Sequence, residues 1–159
     1  MTTPLPRFTT PAAPWEGRFA LINYANSSIL SQQPVPQKPL FWLGSSLEDL
    51  LNLPGEVRHT MGVALRMAQA GGRHRYAKTL RGFRGSSVVE LIVDHGKCTF
   101  RAVYTVGFRE AVYVLHVFQK KSTRGIRTPA RDIEQIERRL RAAQEHHTAW
   151  IESHDQEQS

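Results

Sequence analysis

Apolar and polar residues alternate differently in the two halves of the chain. Pro39-Leu-Phe-Trp-Leu43 is a short apolar and aromatic run with the length of a strand. Ser45-Ser-Leu-Glu48 has the spacing of a capping box and predicts a short helix from Ser46 to Leu53. Pro54 suits a first helical turn. After it, Val57, Met61, Ala64, Leu65 and Ala68 recur at helical spacing until Gly71-Gly72. The two helices predict an antiparallel hairpin.

The second half changes period. Val88 to Val93 is rich in β-branched residues, Asp94-His-Gly-Lys97 has turn chemistry, and Thr99 to Val106 alternates as a return strand. Ala111 to Phe118 (AVYVLHVF) is apolar apart from His116, the pattern of a central strand covered on both faces. Thr128-Pro129 predicts a helix N-cap followed by proline at the first helical position, with Ile133, Ile136, Leu140 and Ala143 on one face. The polar stretch after Trp150 is expected to fray.

The first 39 residues hold seven of the nine prolines and keep no period. Three segments follow: a proline-rich leader at 1–38, a domain at 39–145 and a polar tail at 146–159. Such a domain has the size of a small single fold. The whole chain of 159 residues excludes a large multidomain enzyme. No apolar run approaches the roughly 20 residues of a membrane span, and Phe19 to Ile22 is too short for a secretion signal. A cytoplasmic protein is expected. Cys98 is the single cysteine, so neither an intrachain disulfide nor a zinc ribbon is expected.

Charge narrows the function. Lys and Arg number 21 against 14 Asp and Glu, a net +7 that favours a polyanionic partner. Ten of those 21 cations lie in two runs without an acid. One holds Arg73, Arg75, Lys78, Arg81 and Arg84; the other holds Lys120, Lys121, Arg124, Arg127 and Arg131. Both are expected as loops flanking the sheet, and meeting at one end they would form an RNA-binding surface. About five phosphate contacts there would cost roughly a hundredfold in affinity between 50 and 200 mM salt. Tyr76, Phe83 and Phe118 are available for base stacking. His146-His147 has no spaced metal-ligand partners and is expected as a pair of surface histidines. No metal and no cofactor are expected.

From Pro39 to Ala143, and above all in AKTLRGF, ELIVDHGKCTFRAVYTV and VYVLHVFQKKSTRGIRTP, the chain resembles the RelE/HigB superfamily of bacterial toxins, in its phage-derived HigB-like branch. The resemblance implies a small α+β domain in which an N-terminal helical hairpin packs on an antiparallel sheet with a C-terminal helix. It also implies the toxin of a type II toxin–antitoxin pair, a metal-independent and ribosome-dependent mRNA endoribonuclease that stops translation. Its partners would be mRNA and a cognate antitoxin with a helix-turn-helix domain. A non-catalytic ParE-like toxin acting on DNA gyrase, or a basic RNA-binding accessory protein, is the alternative on the same fold.

Lys78, Leu80 and Gly82 match the family's KxLxG, Arg101 its strand arginine, and His116, Phe118, Lys120 and Lys121 its LHxFxKK. Phe100 replaces a usual tyrosine, and Leu91-Ile92-Val93 lacks the basic residue that many relatives carry after EL. In-line RNA cleavage needs a base for the 2′-hydroxyl, charge to stabilise the crowded phosphate, and an acid for the leaving oxygen. Arg101 suits the phosphate, since a guanidinium stays charged and offers two donors. Lys78, Lys120, Lys121 and His116 are the candidates for proton transfer. Strand alternation puts His116, Phe118 and Lys120 on one face and Lys121 on the other, which ranks Lys120 above Lys121.

Overall fold

The alternation of residues 88–105 produces a hairpin. In the computed structural model, which describes residues 37–83, 85, 87–120 and 128–157, β3 (Val88–His95) and β4 (Cys98–Thr105) are joined by Gly96-Lys97. Gly96 has φ +60°, which a two-residue turn needs at its first central position and which glycine adopts without steric cost. Around this hairpin lie β1 (Leu40–Trp42), α1 (Ser46–Leu51), α2 (Gly55–Gln69), β2 (Ala77–Thr79), β5 (Val112–Lys120) and α3 (Ala130–Glu157). The strand order is β1-β5-β4-β3-β2.

This is the expected α+β class with one correction to the sheet. β1 pairs with β5 in parallel, Leu40 opposite Val112 and Trp42 opposite Val114, so the sheet is mixed rather than antiparallel. The length of chain between them, with two helices and a hairpin, allows the crossover that parallel pairing requires.

Both faces of the sheet are covered. On one, Leu50 of α1 and Val57, Met61, Ala64, Leu65 and Ala68 of α2 pack on Val89, Leu91, Ala102, Tyr104, Val112 and Val114. On the other, Ile136, Leu140 and Ala143 of α3 pack on Phe41, Val88, Val103, Tyr113 and Leu115. Burial pushes the Tyr104 phenol up to about 12 despite Arg73 nearby. The helical period of α2 and the apolarity of β5 have the same cause, a position next to a covered face.

Several local expectations are corrected. Ser45 makes no cap bond to a helix amide; its hydroxyl donates to Asp49 at 2.8 Å and accepts from Arg139 at 3.0 Å. Pro54 sits at the N-cap of α2 rather than inside its first turn. At α3 the carbonyl of Pro129 accepts the first helical bonds, from Asp132 and Ile133, while the Thr128 hydroxyl points to the sheet. The basic run at 73–84, expected as a loop, contains the edge strand β2.

The expected polar tail from residue 146 continues α3 through Glu157. His146 and His147 are half-buried, not surface residues. The His146 ring lies 4.8 Å from Phe41, and its Nδ1 is 2.8 Å from the Tyr113 hydroxyl. Trp150 closes on Phe41 at 5.7 Å. The leader lies outside the described residues up to position 36; Lys38 is tied to the end of α2 by its amide on the Gln69 carbonyl and by the Gln69 side chain on its own carbonyl.

Two expected outcomes follow from this packing. Gly44 has φ +56°, and a Cβ there would stand 2.8 Å from Arg139 Nη2. Gly44→Ala should cost about 1–3 kcal/mol in urea denaturation, from backbone strain and a displaced guanidinium. Burial, with His147 beside it, holds His146 below its usual 6.5, so the fold favours the neutral ring. Its contribution is fully present above pH 6.5 and is lost as pH falls from there through the lowered value. Thermal melts from pH 7.5 to 5 should show a falling Tm, with a shallower fall in His146→Gln.

Candidate active site

Hydrogen-bonded register decides which side chains meet. Lys78 is opposite Glu90, Glu90 opposite Val103, and Val103 opposite His116. In the next row on the same face, Ile92 is opposite Arg101 and Arg101 opposite Phe118. A third row places Asp94 opposite Thr99 and Thr99 opposite Lys120. This is the face that carries α3, because Val88, Val103 and Leu115 on it pack under the helix.

An irregularity in β5 makes the alignment possible. The register shifts between Val103, opposite His116, and Tyr104, opposite Val114, leaving Leu115 as an extra residue. Such a bulge turns two successive side chains the same way. Leu115 enters the core under α3, and His116 reaches Asp132 on the same helix. Without the bulge, His116, Phe118 and Lys120 would face α2.

Thus Lys78, Arg101, His116 and Lys120, from β2, β4 and β5, share one face of the sheet. Lys121, Arg84, Arg124 and Arg127 lie outside the described residues. Arg81 is exposed in the turn after β2. Arg73 is turned away from this face: it donates to the Ala77 carbonyl at 3.2 Å and to the Thr79 hydroxyl at 3.1 Å, and Ala77 packs in the α2 core. Arg75 lies over the Tyr76 ring, 4.8 Å from its centre.

Arg101, expected to grip phosphate, is only 3% exposed. Its Nη1 meets Glu90 Oε1 at 2.5 Å and the Thr128 hydroxyl at 3.0 Å, and that hydroxyl donates to the same Oε1 at 2.7 Å. Glu90 is itself buried and lies diagonally across the hairpin from Arg101. The triangle joins β3, β4 and the start of α3. A buried cation requires such a partner, since an uncompensated charge in the interior is costly. Its guanidinium is therefore a fixed positive floor rather than an exposed clamp.

His116 is held from both sides. Arg139 Nη1 stands 3.3 Å from Nδ1, and because arginine only donates, Nδ1 accepts and the Nε2 proton goes to Asp132 at 2.9 Å. Its ring stacks on Phe118 at 4.7 Å. Arg139 also donates to the Leu115 carbonyl at 2.8 Å, which fixes the bulge, and half-burial lowers its pKa. His116 is thus a positioned group whose two nitrogens are occupied. A cleft of about 1060 Å³ opens beside it, lined by Asp49, His116, Phe118, Lys120, Asp132 and Arg139 among others.

Lys78 and Lys120 reach solvent, and His116 faces the cleft. Lys78 is exposed beside Glu90, and Lys120 is half-exposed at the end of β5. Glu90, Thr128 and Asp132 were not legible as site residues from spacing. One signal was present: an acid within VVELIV, with an arginine in the following strand, is the pattern of a cross-strand ion pair. Among the described residues no three His, Cys, Asp or Glu side chains converge as metal ligands, and no helix is long and apolar enough to cross a membrane.

Glu90→Ala should destabilise the protein by about 3–5 kcal/mol in denaturant titration, by leaving the Arg101 charge buried without its carboxylate. Glu90→Leu with Arg101→Met should recover most of that loss, because two apolar side chains leave no charge to compensate.

Comparison with known proteins places this arrangement in a family. The family model described as "Phage derived protein Gp49-like (DUF891)" matches residues 48–141, more than half of the chain. The match runs from α1 into α3 and includes Lys78, Glu90, Arg101, His116 and Lys120. No curated protein and no solved structure matches the chain. With its residues from α1 into α3 matched, the chain belongs to the phage-derived Gp49-like family, part of the RelE/HigB-like toxin superfamily.

Proposed function

We propose that the chain is the toxin of a type II toxin–antitoxin pair in the HigB-like branch, and that it is a metal-independent endoribonuclease cutting mRNA on the ribosome. The observation that carries this reading is the placement of Lys78, Arg101 and Lys120 on one sheet face, brought there from three strands. Lys78, Arg101 and Lys120 set cations at fixed positions on this face among Glu90, Asp94 and Asp132, and such placed cations suit a phosphodiester rather than a neutral substrate.

In this mechanism the exposed lysines act at the scissile phosphate. One takes the 2′-hydroxyl proton, the freed oxygen attacks phosphorus, and the other protonates the leaving 5′-oxygen. Arg101, fixed by Glu90 and Thr128, supplies positive potential beneath the anionic transition state. His116 and Phe118 form a rigid wall beside Lys120, the ring held by Asp132 and Arg139. Lys121, Arg124 and Arg127, with Arg81 and Arg84, would add phosphate contacts along the RNA. The partner that silences the site is an antitoxin with a helix-turn-helix domain, and the reaction belongs in the cytoplasm with the ribosome.

A second reading draws on the burial of Arg101 and on the two occupied nitrogens of His116. A site so heavily tied internally also fits a non-catalytic toxin that grips a protein target such as gyrase.

Lys78→Ala with Lys120→Ala separates the two. Both side chains reach solvent, so the fold should survive, and cleavage of translated mRNA measured by primer extension should fall by at least 10²-fold. Growth arrest should disappear with it. Arrest that persists with uncut mRNA in the parent and the variant alike would overturn the nuclease reading and favour the protein-target one.

A further inference from the structure

We propose that the end of β5, from His116 to Lys120, is the docking edge for an acidic, extended segment of a partner polypeptide, which adds there as a further strand between α1 and α3. The inference begins with the shortness of β1. Its three residues pair with Val112 to Val114, and the Leu43 amide on the Val114 carbonyl at 3.0 Å ends the pairing. Among the described residues, β5 runs on to Lys120 with no strand on that side. The cleft beside His116 lies along this stretch. Every residue from His116 to Lys120 lines it, although side chains of a strand alternate, so the cleft follows the edge of the strand rather than one face.

Hydrogen bonding sets which main-chain groups face the cleft. The Ile92 amide lies 3.5 Å from the Tyr76 carbonyl and the Leu80 amide donates to the Val88 carbonyl at 2.9 Å, so Val88 and Ile92 spend these groups on β2. Arg101, opposite Ile92, therefore turns its own amide and carbonyl to β5, and Phe118, opposite Arg101, returns them to β4. The neighbours of Phe118 point the other way. Val117 and Gln119 thus each direct an amide and a carbonyl to the cleft. Nearer β1 the same edge is already closed: the Val114 carbonyl also accepts from the Ser46 hydroxyl at 3.3 Å, and the Leu115 carbonyl accepts from Arg139 at 2.8 Å.

An edge of alternating donors and acceptors is completed by another extended main chain, which returns an acceptor and a donor at the same spacing. A phosphate seated there would meet the carbonyl oxygens as well as the amides, and that repulsion favours a peptide. Charge complementarity selects its side chains. On the floor, charges compensate one another: Arg139 donates to Ser45, whose hydroxyl donates to Asp49 at 2.8 Å, and Asp132 accepts from His116 at 2.9 Å. Along the α3 wall the exposed Arg131 and Arg138 stand against Glu134, and the contact of Arg138 with the Gln135 amide oxygen at 2.6 Å leaves its charge uncancelled. Carboxylates of a strand beside this wall would meet the two arginines. Residues 1–36 of the chain itself fit poorly, with Arg7 and Arg18 against Glu16 and six prolines.

Hydrogen exchange and fluorescence anisotropy on the full chain test the edge, with a short capped peptide of alternating glutamate and valine as probe. In the chain alone the Val117 and Gln119 amides should exchange far faster than that of Phe118, and saturating peptide should slow them at least roughly tenfold. Methylation of alternate peptide amides removes the pairing donors and should weaken binding about tenfold. Gln119→Pro should weaken the unmodified peptide likewise, since it deletes a donor on the free side and keeps the bonds to β4. Arg131→Glu with Arg138→Glu should weaken this peptide and admit one of alternating lysine and valine, a gain that a misfolded variant cannot show. Slow exchange of both amides in the chain alone would overturn the proposal, showing the edge filled by the chain itself, or by a second copy where the slowing depends on concentration. So would an absence of protection by the peptide, equal binding of its methylated form, undiminished binding by Gln119→Pro, or protection by a 2′-O-methyl single-stranded RNA in place of the peptide. None of these readouts uses cleavage, so the proposal fails or stands apart from the nuclease reading.

Discussion

The buried contact between Glu90 and Arg101 is the constraint around which the site is built. It joins the two strands of the central hairpin, and Thr128 brings the start of α3 to the same point. Neither charge is tolerable alone in the interior, so the pair fixes the diagonal register of β3 on β4 and the height at which α3 enters. The rows on that face then follow from hydrogen bonding. Lys78 sits beside Glu90, His116 two strands across, and Phe118 next to Arg101. A positive floor with lysines at its rim is the consequence.

The second organising contact is Arg139. Its guanidinium reaches the Leu115 carbonyl, His116 and Ser45, and Gly44 leaves room for it. One side chain from α3 thereby stabilises the bulge that puts His116, Phe118 and Lys120 on the side of Arg101. Beyond the family match at residue 141, the same helix continues to Glu157 and closes over Tyr113 and Phe41 with His146 and Trp150. The site end of α3 and its distal end are thus anchored by different chemistry, charge at one and aromatic packing at the other.

Much of the fold was legible because its signals are local. The helical spacing from Val57 to Ala68, the Gly96 turn and the apolar run of β5 each report burial of their own segment. The signals that failed are non-local or carried by short pieces. β2 has three residues of which Lys78 and Thr79 are exposed, so no alternation marks it within a basic run. The parallel pairing of β1 with β5 depends on where the chain returns, and Thr128 forgoes its own helix because Glu90 needs a donor. For the candidate site, residue types nominated Arg101, His116 and the lysines, of which Lys78, Arg101, His116 and Lys120 share one face of the sheet. Their states did not follow, because the burial of Arg101 and the saturation of His116 depend on Glu90, Asp132 and Arg139, which only the fold brings to them.

The central claim is that this face cuts RNA by attack of the 2′-hydroxyl, with lysines moving the protons and no metal in the step. Mapping the ends of mRNA cut in a translation reaction tests it most directly, with a matched message carrying a single 2′-deoxynucleotide at the mapped position. The account predicts 5′-hydroxyl ends on the downstream fragment and no cleavage at the deoxy position. Downstream fragments with 5′-phosphate ends, or undiminished cleavage of the deoxy message, would contradict it.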